Sequence, residues 1–166
     1  MELKPISHAA IPAALEKAER YRLLNQPAAA ESICLDILAA DAENQRALRV
    51  LLLVCTDQFV HDSGLHAARA RETLARLDDP YEQQYYGGLI CERLARAHLM
   101  RLTPDAGHIA HEWLTEAMEW YERAERLRPP GDDDAILRWN ACVRLMDATP
   151  SVEPRGEAEY EPAIGE

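Results

Sequence analysis

Apolar residues recur three and four positions apart along most of this chain, and no stretch alternates apolar with polar in the manner of a strand. Ala117, Tyr121 and Ala124 are the clearest case. Steps of four and then three return to one face of a helix, so the three form a packed stripe. Pro129 and Pro130 stop it, because proline has no amide hydrogen to give the helix ladder.

The same periodicity predicts six further helices. The first runs from Ile11 to about Leu24, with Pro12 in its first turn, where proline is tolerated. Asn25, Gln26 and Pro27 make a turn, and the second helix points Ala30, Cys34, Ile37 and Leu38 inward before Asp41. The third, Gln45 to about Gln58, is apolar around nearly its whole circumference, which predicts a helix sandwiched between neighbours. Phe59 to Leu65 reads as a turn, followed by a fourth helix from about His66 to Leu77. The fifth, Tyr81 to Arg101, carries Tyr86, Leu89, Ile90, Leu94 and Ala97 on one face. Gly87 and Gly88 inside it cost about 1 kcal/mol each relative to alanine, which implies a close approach by backbone or ligand. Leu102 to Gly107 forms a turn, and the sixth helix opens at about His108. Gly131 and the aspartates at 132, 133 and 134 open the last, which packs through Ile136, Trp139, Ala141, Val143 and Met146. The organisation is a lead segment over residues 1–10, a helical domain over 11–147 and an acidic, proline-rich tail over 148–166 expected to be disordered.

Composition narrows the function classes. At 166 residues the chain suits one domain, and its net charge of −11 with only two lysines, Lys4 and Lys17, argues against nucleic acid. No apolar run approaches the roughly 20 residues that span a bilayer, so no membrane insertion is expected, and with no recognisable signal peptide the expected location is cytoplasmic. Cys34, Cys55, Cys91 and Cys142 are far apart with no C-x-x-C pair, as core thiols would be.

The spacing of Ala117, Tyr121, Ala124 and Pro129 resembles the second helix of a tetratricopeptide (TPR) repeat. Tyr21, Ala30 and the Asp41-Ala42-Glu43-Asn44 ending are similar, with Ala42 in the place of proline, and Ala68, Ala75 and Asp78-Asp79-Pro80 give a third instance. The resemblance covers about residues 11–147, as three degenerate repeats plus a capping helix. It implies an all-α, right-handed superhelical stack of antiparallel helix pairs with about seven helices. It also implies a concave groove presenting Leu15, Glu19 and Arg22, then Arg46, Arg49 and Leu53, then Gln84, Gly88 and Cys91. In that groove Arg46 and Arg49, three apart, suit one carboxylate of a partner. One subclass of the family clamps the terminal carboxylate of chaperones with lysines and asparagines, and this chain has Leu15, Glu19 and Val50 at those positions, which disfavours that ligand.

Chemistry-bearing motifs are sparse. His108 and His111, three apart beside Glu112, are weak metal candidates without a third local ligand, and no Glu-x-x-His pair exists. No G-x-S-x-G, G-x-x-x-x-G-K or H-E-x-x-H occurs, so no enzyme activity and no cofactor are expected. Trp113, Trp120 and Trp139 read as packing between helices. The expected function is a noncatalytic protein-protein interaction module, an adaptor or scaffold that binds a partner peptide, helix or subunit in its groove. The alternatives are an accessory subunit, assembly factor or chaperone of a larger complex, and a metal- or ligand-binding helical enzyme. A homo-oligomer is compatible with each.

Overall fold

The computed structural model describes residues 1–101 and 103–156. Among these it contains one short 3-10 helix, His8–Ala10, and seven α-helices with no strand. They are α1 (Ile11–Leu23), α2 (Pro27–Ala40), α3 (Gln45–Asp57), α4 (Ser63–Leu74), α5 (Pro80–Arg101), α6 (Ala106–Leu127) and α7 (Asp134–Ala148).

Local chemistry sets the helix ends. α1 closes on Asn25 at φ +56°, the left-handed region that asparagine tolerates better than most residues. There the amide of Asn25 donates to the Arg22 carbonyl and that of Gln26 to the Tyr21 carbonyl, which satisfies two orphan acceptors. The side chains of Asn44 and Asp62 accept from the amides of Ala47 and Leu65 and so start α3 and α4. Asp79 does the same for α5 through the amides of Tyr81 and Glu82. At α7 the capping oxygen belongs to Asp132, which accepts from the Asp134 amide at 2.9 Å and from the Tyr81 hydroxyl at 3.0 Å, tying this start to that of α5.

Each helix packs on the next in sequence, and α1 also meets α3, α3 meets α5, and α5 meets α7. That connectivity makes antiparallel pairs α1/α2, α3/α4 and α5/α6, with α7 as a lone last helix. The central helix α3 buries Ala47, Leu48, Val50, Leu51, Leu52, Val54 and Cys55, as its all-round apolar pattern predicts. Ala117, Tyr121 and Ala124 have no exposed surface. The close approach at the two glycines of α5 is made by α6: a Cβ at Gly87 would sit 2.6 Å from the Trp120 ring, and one at Gly88 2.6 Å from the Tyr121 ring.

Two expectations need correction. The fourth helix starts at Ser63, because the Asp62 cap draws Gly64 into the first turn, so the expected turn is confined to the residues before it, with Phe59 buried in it. The inward residues of α4 are therefore Ala67, Ala70 and Thr73, while Ala68 and Ala75 face solvent and cannot serve as the close-packing residues of a second helix.

The tail differs as well. Ala148 belongs to α7, and the residues after it turn back over the bundle, the Val152 amide donating to the Thr149 carbonyl at 2.8 Å. Val152 is buried in the cluster of Cys91, Ala95, Ala110, Leu114 and Cys142. The Ser151 carbonyl oxygen lies over Gly107 so closely that a Cβ there would be 1.8 Å away, and His108 Nδ1 is 2.9 Å from the Glu153 carbonyl oxygen. A valine aimed at an apolar cleft explains why this acidic stretch packs. The remainder of the expected disordered tail, residues 157–166, lies outside the described residues. No helix among the described residues is long and apolar enough to cross a membrane.

Candidate partner-binding face

The consecutive contacts of α1, α3 and α5 create a face laced by ion pairs. Arg46 on α3 holds Glu19 on α1 with two bonds of 2.9 and 2.8 Å. Arg49, one turn on, reaches the other way to Glu82 on α5 at 2.8 and 3.1 Å. Toward the far ends of the helices, Asp57 on α3 accepts from Arg22 on α1 through Nε at 2.6 Å and Nη2 at 3.2 Å, and from Arg93 on α5 through Nη1 at 2.5 Å. α3 thus pairs with both neighbours at two levels. Paired, planar guanidiniums fix the register of adjacent helices more than they stabilise them, because exposed pairs contribute little and these are partly exposed.

This arrangement changes the roles expected of several residues. Arg46 and Arg49 already hold carboxylates of this chain, on opposite sides, and so do not converge on one acid of a partner. Leu15, Gly88 and Cys91 are buried, Leu15 against Ile11, Ile37 and Ala47 and Gly88 under Tyr121, so they line no groove. The fifth helix is turned so that Gln84 accepts from Arg123 Nε of α6 at 2.9 Å. Glu19, Arg22, Arg46, Arg49 and Leu53 remain partly or fully solvent-facing.

A second polar group lies beneath the last pair. Glu92 of α5 is 1% exposed, and its Oε2 accepts from the Tyr121 hydroxyl at 2.8 Å. Its Oε1 meets Arg96 at 3.2 Å and Arg138 of α7 at 3.5 Å. Burial, then the nearby Glu92 charge, pushes the Tyr121 hydroxyl far above its usual value, so it stays a donor. The cluster joins α5, α6 and α7 and explains why a charged residue sits in the core.

Sequence reasoning missed Asp57, Glu82, Glu92 and Arg93. Each pairs across helices 29 to 36 positions apart, or inside the core, where the spacing within one helix carries no trace of the partner. Glu92 gave one readable signal: it lies between Cys91 and Leu94 on the inward stripe of its helix.

No cluster of three His, Cys, Asp or Glu side chains suited to a metal ion exists among the described residues. His108 is engaged with the tail backbone. Burial pushes the thiols of Cys34, Cys55, Cys91 and Cys142 up to about 12, so none carries a thiolate at neutral pH. In comparisons with known proteins, no family model, no curated protein and no solved structure matches this chain.

Proposed function

We propose that this chain is a noncatalytic, TPR-like interaction module, an adaptor or scaffold whose helix pairs stack in a right-handed superhelix and bind a partner protein on the face of α1, α3 and α5. The observation that carries this reading is that the first helices of successive pairs contact one another in a row while each second helix is wedged between its own first helix and that of the next pair. Such a row offers a long, preformed surface, and a preformed surface spares the ordering that a flexible one loses on binding. Half-buried Leu53 and Tyr86 give it apolar contact, and its charges, though paired, keep unused hydrogen-bond donors.

Affinity capture with the full chain, read by quantitative mass spectrometry, tests it. Arg46→Ala with Arg49→Ala should release a partner that Leu35→Ala, on α2, retains. A partner kept by the first variant and lost by the second would place binding on the opposite face.

A second reading, an accessory subunit of a larger complex, draws on the far end of the bundle. There Ile136 and Trp139 of α7 line a cleft of about 570 Å³ with Glu122, Glu125 and Arg126 of α6. The Trp139 indole N–H is buried without an acceptor among the described residues, and Leu137 beside it is exposed. An unpartnered buried donor and an exposed leucine on a last helix suit a surface completed by another protein.

A further inference from the structure

Two carboxylates serve four guanidiniums along the seam that follows the row α1, α3, α5 and α7: Asp57 is shared by Arg22 and Arg93, and Glu92 by Arg96 and Arg138. Elsewhere on the helix face the pairing is one to one, Glu19 with Arg46 and Arg49 with Glu82. The seam therefore carries excess positive charge in a chain whose net charge is −11. Three of the four arginines, Arg22, Arg93 and Arg96, line a single cleft of about 440 Å³ at the rim where the first two pairs turn, with Asp57 as its one acidic lining residue. Arg101, on the same helix as Arg93 and Arg96, adds a further cation beside it, bound to the Phe59 carbonyl and the Ser63 hydroxyl and to no carboxylate among the described residues.

Apolar surface adjoins this charge. Leu23 is 83% exposed and Val60 41% exposed, and both line the same cleft. Each arginine has spent only part of its five N–H donors: Arg22 its Nε and one Nη on Asp57, Arg93 one Nη, and Arg96 its Nε and one Nη on Glu92. A cleft that offers planar cations next to bare aliphatic side chains matches a segment with carboxylates beside an aliphatic residue.

We propose that the Arg22–Arg93–Arg96 cleft is the docking site for an acidic peptide segment of a partner protein, its carboxylates on the guanidiniums and an aliphatic side chain against Leu23 and Val60. This rests on the interaction reading above and names its partner chemistry. The site is distinct from the positions of Leu15, Glu19 and Val50, where a terminal-carboxylate clamp would lie: it is built at the carboxyl ends of α1 and α3 and recognises side-chain carboxylates within a segment. Surface complementarity of this kind acts first on the encounter rate, so binding weakens as salt is raised.

Selection of a random dodecapeptide display library on the full chain tests the proposal. The enriched peptides should be rich in Asp and Glu with a Leu, Ile or Val among them. Their affinity should fall about tenfold or more in Arg93→Gln and in Val60→Asp. Arg93→Gln leaves both Arg22 bonds to Asp57 in place, and Val60 lies in a turn, so neither variant depends on losing the fold. Enriched peptides without acidic residues, or binding indifferent to both variants, would overturn the acidic partner while leaving the interaction reading intact; no enrichment from any selection would count against both. Enrichment that arises only when Glu157, Glu159 and Glu161 are changed to Gln would assign the cleft to the chain's own end and overturn a partner as its occupant.

Discussion

Gly88 of α5 lies directly beneath the ring of Tyr121 on α6, so that a methyl group on Gly88 would stand 2.6 Å from Cε1 and 2.7 Å from Cδ1. Tyr121 has no exposed surface and donates to buried Glu92, so its ring has no room to withdraw. Gly88→Ala should therefore destabilise the chain by about 1 to 3 kcal/mol through overpacking, although alanine is intrinsically the better helix former by about 1 kcal/mol. Urea denaturation measures it. The contrast is Gly64→Ala, where the new methyl would meet Asp62 at an ordinary 3.6 Å, and where stability should hold or rise slightly.

Among the described residues the Tyr121 hydroxyl is the one hydrogen-bond partner of Glu92 Oε2, while both arginines contact Oε1. Tyr121→Phe keeps the ring and removes that donor, leaving a buried carboxylate oxygen without a bond. The expected loss is about 1 to 3 kcal/mol in a thermal or urea melt. A change within error would mean that Glu92 has turned to solvent.

The helices were legible because spacing within one helix announces its face: Ala117, Tyr121 and Ala124 fix their register without help from the rest of the chain. The glycines of α5 also announced a close approach, but the expected neighbour was a backbone or a ligand, and the structure puts the side-chain rings of Trp120 and Tyr121 there. The fourth helix was misread because alanines occur at 67, 68, 70 and 75, and composition cannot say which of them point inward; the Asp62 cap decides it. The candidate face was less legible. Its arginines were visible, but their partners Asp57 and Glu82 belong to neighbouring helices, and that pairing turned a supposed clamp into braces.

Val152 was hidden for a related reason, since one apolar residue in an acidic stretch gives no periodicity. Its burial predicts that Val152→Ala will cost about 1 to 3 kcal/mol. Gly107→Ala should act in the same direction by pushing the Ser151 carbonyl away. Melting temperatures equal to that of the unaltered chain would show that the segment after α7 does not pack.

The four thiols yield a pH prediction. Their ordinary value is 9.0, and burial holds them near 12 in the folded chain. Between those values the unfolded chain has released protons that the folded chain retains, so stability is intact below about pH 9 and falls as pH rises toward 12. The limiting slope is about 1.4 kcal/mol per pH unit for each such thiol. Urea midpoints taken across this range should decline, and iodoacetamide at pH 8 should label the thiols only after unfolding. Rapid labelling of the native chain would contradict their burial.

Which face meets the partner is read directly at the side chains by hydroxyl-radical footprinting of the chain with and without its captured partner. Binding on the α1, α3 and α5 side should protect Leu23, Leu53 and Tyr86, with Leu35 and Leu127 on α2 and α6 labelled as before. Protection of Leu35 or Leu127, with Leu23, Leu53 and Tyr86 unchanged, would contradict it.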